Sequence, residues 1–178
     1  MYNLMKNRRS IRKYKAEKVD KGLIDLLLKS ILRSPSGKSI NPWEFVYIDE
    51  TDMLVKLSQS KKFGAKFLKN APQCIVVLAD ETKTDIWIED ASIAATIAHL
   101  TAESLGLGSC WIQIRNRGAE GEQPAEEYVQ KALGIPANMR VEAIISVGYP
   151  DEEKKPHGEE SLEFGKVHMN TYGSKYFK

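Results

Sequence analysis

Apolar residues recur in two rhythms along this chain. From Lys21 to Arg33 they fall at helical spacing, with Leu23, Leu26, Leu27 and Ile31 on one wide face and Asp20 where an N-cap belongs. Ser34-Pro35-Ser36-Gly37 stops that helix. Trp43 to Ile48 has the aromatic and β-branched content of a short strand, and a helical stretch begins near Glu50. Pro72 opens a second strand, whose unbroken apolar run Cys74-Ile75-Val76-Val77-Leu78 predicts a position inside a sheet covered on both faces. From Ile86 to Leu105 the rhythm is helical again. Glu89 and Asp90 stand at the positive end of its dipole, and Ala91, Ala94, Ala95, Ala98 and Ala102 lie in its interior. That row of small residues predicts close helix–helix approach, as at the centre of a helical dimer core. Gly106-Leu107-Gly108 ends the helix, and Ser109 to Ile114 predicts a third strand or a strand-like turn. Glu126 to Leu133 reads as a helix closed by Gly134-Ile135-Pro136, and Ala143 to Gly148 as a fourth strand. The last thirty residues are polar and irregular but end in Tyr172-Gly173-Ser174-Lys175-Tyr176-Phe177, whose aromatic content predicts docking. Without repeat or linker, this mixed order of helices and strands predicts a single α+β domain over residues 1–178.

Composition narrows the function more than the fold. A hydrophobic fraction of 42% supplies a core, while a charged fraction of 28% nearly cancels to a net charge of +2. Neither the global basic field of a nucleic-acid binder nor an acidic tail is present, so electrostatic function must be local. Cys74 and Cys110 stand alone in apolar stretches, which argues against a disulfide scaffold or a zinc site; no metal is expected. The start lacks the apolar region of a secretory signal, and no stretch approaches the ~18 apolar residues of a membrane helix. The expectation is a soluble, cytoplasmic protein.

Three segments could carry chemistry. Arg8-Arg9-Ser10-Ile11-Arg12-Lys13-Tyr14 concentrates fixed cations and a hydroxyl, and the planar guanidinium fork suits a phosphate. Read alone, it is equally a solvated basic tail or a weak nucleic-acid contact, and a non-enzymatic binding module is the rival function. Ser34 to Trp43 places Gly37 and small hydroxyl residues between Pro35 and Pro42, a loop that exposes backbone N–H groups but that also suits a plain connection. Gly106-Leu107-Gly108-Ser109-Cys110-Trp111 follows a helix and has Trp111 where a dinucleotide fingerprint needs a third glycine, which argues against a Rossmann site. His99, with Glu103 one turn on, reads as a satisfied polar or interface residue. No Gly-x-Ser-x-Gly elbow, Walker loop or zinc-protease helix occurs, so hydrolytic chemistry has no support.

In this order, with Ala71-Pro72 before the apolar strand and Leu133-Gly134-Ile135-Pro136 ahead of Gly148-Tyr149-Pro150, the segments resemble the nitroreductase family of FMN-dependent NAD(P)H oxidoreductases, particularly its short members. The resemblance implies an α+β fold with a mixed, mostly antiparallel sheet flanked by helices. It also implies an intertwined homodimer, with the segment from about residue 160 to 178 reaching to the partner subunit. Matched by position, Arg8, Arg9, Ser10 and Arg12 would contact the phosphate, ribityl chain and pyrimidine edge of FMN. Pro35, Ser36, Gly37 and Ser39 would approach the same flavin from the other subunit. Trp111, Ile112 and Gln113 would line the ring, with a backbone N–H near Gln113 directed at flavin N5.

The chain departs from the pattern at Ser39 and Asn41, where many relatives have asparagine and glutamine, and at Glu159 and Glu160, near which relatives often place a phosphate-binding base. Lys154, Lys155 and Lys166 are the candidates to supply that charge, and a second pyrimidine-edge contact is expected between Lys62 and Lys66. The implied reaction passes hydride from NAD(P)H through flavin N5 to a nitroaromatic, quinone or similar small acceptor by a ping-pong mechanism. No side chain need ionise for this; Arg12 would stabilise the reduced flavin electrostatically. Dehalogenation or flavin modification is the alternative within the family. Trp87, Arg115 and the stretch Asn116 to Pro124 are expected at the substrate mouth.

Overall fold

Every residue from Gln73 to Ala79 is buried, because the strand they form has a neighbour on each edge and helices over each face. A computed structural model describes residues 1–177 of the chain. Its sheet comprises β1 (Trp43–Ile48), β2 (Gln73–Asp80), β3 (Gly108–Gln113) and β4 (Met139–Gly148), in the spatial order β1-β2-β4-β3. All three pairings are antiparallel. The expected mixed sheet is therefore antiparallel throughout, apart from one parallel bridge between Ser10 and Ser109 that lies outside the named strands.

The described residues form five helices, α1 (Tyr2–Asn7), α2 (Lys21–Ile31), α3 (Thr51–Leu57), α4 (Trp87–Ser104) and α5 (Ala125–Leu133), of which α2 to α5 cover the sheet. On one face Ile24, Leu27 and Ile31 of α2 join the alanines of α4 over Ile75, Val77, Ala143 and Ile145. On the other, α3 and α5 contribute Leu54, Leu57 and Val129 over Cys74, Val76, Ile112 and Ile144. Period-two alternation sends neighbouring strand residues into opposite cores, which is why unbroken apolar runs serve here.

Asp20 caps α2 as expected, its Oδ1 accepting from the N–H groups of Gly22 (2.8 Å) and Leu23 (3.4 Å). The alanines of α4 give the close helix–helix approach their pattern suggested, but against α2 of the same chain. Ala91, Ala94, Ala95, Ala98 and Ala102 are all buried within the single chain, most of them against its own sheet and α2. Small side chains let this helix lie low on β2, β3 and β4.

The short helix α1 has no counterpart in the hydrophobic pattern, since none of its residues is buried. From His157 on, the described residues form short 3₁₀ turns at Glu159–Ser161 and Phe164–Lys166 and a bridge between His168 and Lys175. Their docking within one chain is slight: His157 N–H donates to the Lys6 carbonyl (3.1 Å) and Tyr2 to Glu159 (3.2 Å). Phe164, Tyr176 and Phe177 cluster on one another and remain exposed.

Candidate functional site

The arginine segment lies along the outer edge of β3. Ser10 bridges Ser109 in parallel, and Ile11 N–H donates to the Ser109 carbonyl at 2.9 Å. Gly108 makes this approach possible: a Cβ there would stand 2.8 Å from Ile11 Cβ and Cγ2. Further along, the Tyr14 hydroxyl donates to the Ile11 carbonyl (2.5 Å) and lies 2.7 Å from Ser146 Oγ, while Lys15 N–H donates to the Tyr149 carbonyl (3.0 Å). Burial pushes the Tyr14 phenol well above its ordinary range, so this anchor stays neutral.

The C-terminal arm closes over the same segment. Glu152 Oε1 accepts from the N–H groups of Arg12 (2.5 Å) and Lys13 (3.2 Å), and Lys154 Nζ donates to the Ser10 carbonyl (2.5 Å) and pairs with Glu152 (3.2 Å). Arg9 donates to the Lys155 carbonyl. Burial works against ionisation of Glu152, but the Arg12 N–H, Lys154 and the Lys13 N–H outweigh it and hold its carboxyl below the usual range. Arg9, Glu152 and Lys154 line one cavity of about 190 Å³ together with Ile11, Glu103 and Gly108. Lys154 thus joins the arginine segment by its side chain and Lys155 by its backbone. Lys166 lies apart, paired with Glu163 (2.5 Å) on the tail.

Cys110 is the hub beneath this arrangement. Burial pushes its thiol up, while Arg12, a Ser10 hydrogen bond, Lys154 and Arg8 act in the opposite direction. Lys61, just outside the range expected from the sequence, also feels Cys110, although burial first and then the like charge of Arg117 hold its ammonium below the usual lysine range. Lys66 instead pairs with Glu120.

The rest of β3 offers an open edge. N–H and C=O of one strand residue point the same way and alternate along the chain. Because the Ser109 carbonyl faces outward to Ile11, the backbone groups of Trp111 and Gln113 face outward too, on an edge with no further strand. The Trp111 indole N–H donates to Gln113 Oε1 at 2.8 Å, and both side chains are half-buried. Ile112 points into the opposite core at 1% exposure, and by the same alternation its backbone groups face β4, so neither its side chain nor its peptide groups reach the open edge.

The Pro35 loop stands elsewhere. Gly37 N–H donates to Asp90 Oδ1 (2.9 Å) in the first turn of α4, and a Cβ on Gly37 would meet Ile86 Cδ1 at 2.2 Å. Ser36 Oγ bonds Asn41, and Lys38, Ser39 and Asn41 all adopt positive φ. Arg8 acts electrostatically on His99 and Glu103, farther down α4. The helical rise puts Asp90 and His99 roughly 14 Å apart along the axis. One chain therefore does not bring its Pro35 loop to its own arginine segment.

His99 was legible as a satisfied polar residue, and its Nδ1 lies 2.7 Å from Ser109 Oγ with its ring stacked on Trp111 at 6.2 Å between centroids. Burial first, and then the charge of Arg8, lower its pKa to about 4. The unfolded residue takes up a proton below pH ~6.5, whereas the folded one resists until about 4. Stability attributable to His99 is therefore full above pH ~6.5 and is lost as pH falls toward 4, by about 2 kcal/mol at pH 5. Urea denaturation at pH 7 and pH 5 is expected to show this loss and to show less of it in His99→Gln. Equal pH dependence in the two proteins would exclude His99 as its source.

Among the described residues no group of His, Cys, Asp and Glu could hold a metal, and no helix is long and apolar enough to cross a membrane. The sequence profile of the Nitroreductase family matches residues 5–60 and 49–149. An FMN-dependent nitroreductase from Clostridium difficile R20291 superposes with a TM-score of 0.94 at 49% identity, covering 97% of this chain and 100% of that one. A protein of Archaeoglobus fulgidus, provisionally named an NADH dehydrogenase/NAD(P)H nitroreductase, is 36% identical over 154 residues, 83% of each chain. An iodotyrosine deiodinase of Thermotoga neapolitana is 27% identical over 86% of this chain and 90% of its own. Profile, sequence and fold agree across the arginine segment, the Pro35 loop and the Gly106 turn, and on that footing the chain belongs to the nitroreductase family.

Proposed function

We propose that this protein is an FMN-dependent oxidoreductase that takes hydride from NAD(P)H and passes it to a small acceptor, with nitroaromatics and quinones as the first class to test. The observation that carries the reading is the edge of β3: the arginine segment occupies it at Ser109 and leaves the N–H groups of Trp111 and Gln113 open beyond. The donor set fits the cofactor. Arg9 and Lys154 line one cavity, where with Arg8 and Ser10 they would hold a phosphate and ribityl chain, and Arg12 and Lys61, whose charges interact with Cys110, would serve a pyrimidine edge. Gln113 N–H would then meet N5. Bound FMN would supply a two-electron carrier that accepts hydride from the nicotinamide and delivers it to the acceptor.

The protein's own part is placement. Trp111 walls the ring, the N–H of Gln113 fixes it, and Arg12 balances the negative charge that develops on reduction. The Pro35 loop, on this reading, serves the flavin of a second copy, with Pro35, Ser36, Gly37 and Ser39 crossing a homodimer interface. The exposed apolar side chains of the tail, among them Leu162, Phe164, Met169 and Tyr172, would be covered in the same assembly.

The test is spectroscopic and kinetic. Purified protein supplied with FMN is expected to show a bound-flavin spectrum that NADH or NADPH bleaches anaerobically, and rates measured against nitrofurazone or a quinone are expected to give parallel double-reciprocal lines. A chain that binds no flavin would sink the proposal, and intersecting lines would remove the shared site. Halogenated aromatics are the second acceptor class, supported by the deiodinase relative; turnover of 3-iodotyrosine tests it.

A further inference from the structure

We propose that Glu142 is the positioning residue for hydride transfer: a buried carboxylate in a β-bulge that fixes Gln113, and through it Trp111, on the edge of β3 where the flavin would rest. The inference rests on the flavin site proposed above and adds to it the group that holds its reactive end.

The bulge sits where β4 passes β2. Val77 pairs with Ala143 but Leu78 pairs with Val141, so Glu142 is the extra residue, opposed by nothing on β2. An extra residue re-aims its neighbours, and here it aims three groups at β3. The Glu142 carbonyl accepts from the N–H groups of both Ile114 and Arg115, each at 3.2 Å. Its Oε1 accepts from Gln113 Nε2 at 3.1 Å, and its Oε2 from Arg115 Nε at 2.8 Å.

Gln113 uses its other end as well, with Oε1 receiving the Trp111 indole N–H. The chain of bonds thus runs Arg115, Glu142, Gln113, Trp111, and three of its members lie on or next to the open edge. Glu142 itself is 3% exposed. A buried carboxylate is costly unless paired and hydrogen-bonded, and both side-chain bonds it makes go to Gln113 of β3 and to Arg115 just beyond its end. A buried apolar residue would fill the same space at lower cost; what it would lack is the shortest of the three bonds of the Gln113 amide nitrogen, whose other two reach the Arg115 and Glu142 carbonyls at 3.3 and 3.4 Å. The arginine segment, which would hold the phosphate, bridges β3 at Ser109, four residues before Gln113. Cofactor retention and cofactor alignment are therefore separable.

The experiment compares Glu142→Ala, Glu142→Gln and Gln113→Met as FMN-saturated proteins, measuring the FMN dissociation constant and the limiting rate of flavin reduction at saturating NADH by anaerobic stopped flow. Glu142→Ala is expected to slow reduction about ten- to a hundredfold, the scale of a small misplacement of reacting atoms, with FMN affinity changed less than about threefold. Glu142→Gln keeps one acceptor oxygen, which can serve Gln113 Nε2, but turns a donor toward Arg115, and is expected to restore part of the rate. Gln113→Met, which keeps the backbone N–H and breaks the relay, is expected to be slow even if Glu142→Ala does not fold. Wild-type rates in Glu142→Ala or Gln113→Met would overturn the inference. So would a parallel fall of affinity and rate without rescue by glutamine, the mark of a merely structural residue. Wild-type protein that binds no FMN would be a different failure, overturning the proposed function itself.

Discussion

Replacing Arg8 by alanine is expected to weaken FMN binding about ten- to a hundredfold, the loss of one charge-assisted hydrogen bond worth roughly 1.5–3 kcal/mol. Arg8 is singled out among the N-terminal cations by what its neighbours already do. The guanidinium of Arg9 donates to the Lys155 carbonyl, and Lys154 is held by Ser10 and Glu152. Among the described residues the Arg8 side chain has neither hydrogen bond nor ion pair, yet its backbone is fixed by the N–H it donates to Leu4 at the end of α1. Its side chain is half-buried, and its charge acts on His99, Glu103 and Cys110. Titration with FMN and with riboflavin separates the role from a general one. Arg8→Ala should lose affinity for FMN and leave that for riboflavin, which has no phosphate, nearly as it was. Equal losses for the two ligands would move Arg8 off the phosphate.

Gly108→Ala is expected to lower stability by about 1–3 kcal/mol and to remove most FMN binding with it. The added methyl would stand 2.8–2.9 Å from Ile11 Cβ, Cγ1 and Cγ2. These atoms cannot swing aside, because Cβ moves only with the backbone, and that backbone is bonded to Ser109. Relief requires lifting the arginine segment from β3, which misplaces Arg8, Arg9 and Arg12 together. Gly134, which ends α5, is the control. Its φ of +66° penalises alanine, but no atom lies within 4 Å of a Cβ there. Gly134→Ala should cost about 1 kcal/mol through the backbone alone and leave FMN affinity intact. Urea denaturation with parallel FMN titration checks both variants. Normal FMN affinity in Gly108→Ala would mean that the segment tolerates displacement and that its register on β3 does not govern binding.

Local pattern made much of this fold legible. The strands from Trp43, Cys74, Ser109 and Ala143 announce themselves by β-branched and aromatic runs, and Asp20 and Gly134 mark helix ends by chemistry that acts within a few residues. What the pattern hides is pairing at long range. Nothing in Ser10 or Ser109 says that they bridge, and no periodicity signals the bulge at Glu142, since a bulge is defined only against its partner strand. The alanines of α4 were legible as a close-packing face, but residue size does not say what packs on it; α2 and the chain's own sheet both do. Ile112 shows the same limit, because period two sends it away from the face that Trp111 and Gln113 share. The basic residue that joins the arginine segment was one of three by sequence, and only the geometry of the arm brings Lys154 to Ser10.

The seam between the arginine segment and Glu152 and Lys154 joins residues about 140 positions apart. In the order of synthesis it is a contact between nearly the first and nearly the last part of the chain. Sheet and helices can condense from shorter-range pairings, but this seam must wait until residues 152 to 155 have been made, and it closes one of the longest loops in the fold. The cofactor pocket is consequently the last feature to be completed. Capture of FMN becomes a signature of a finished molecule, and a chain that stops short of residue 152 is expected to reach most of the fold and hold no flavin.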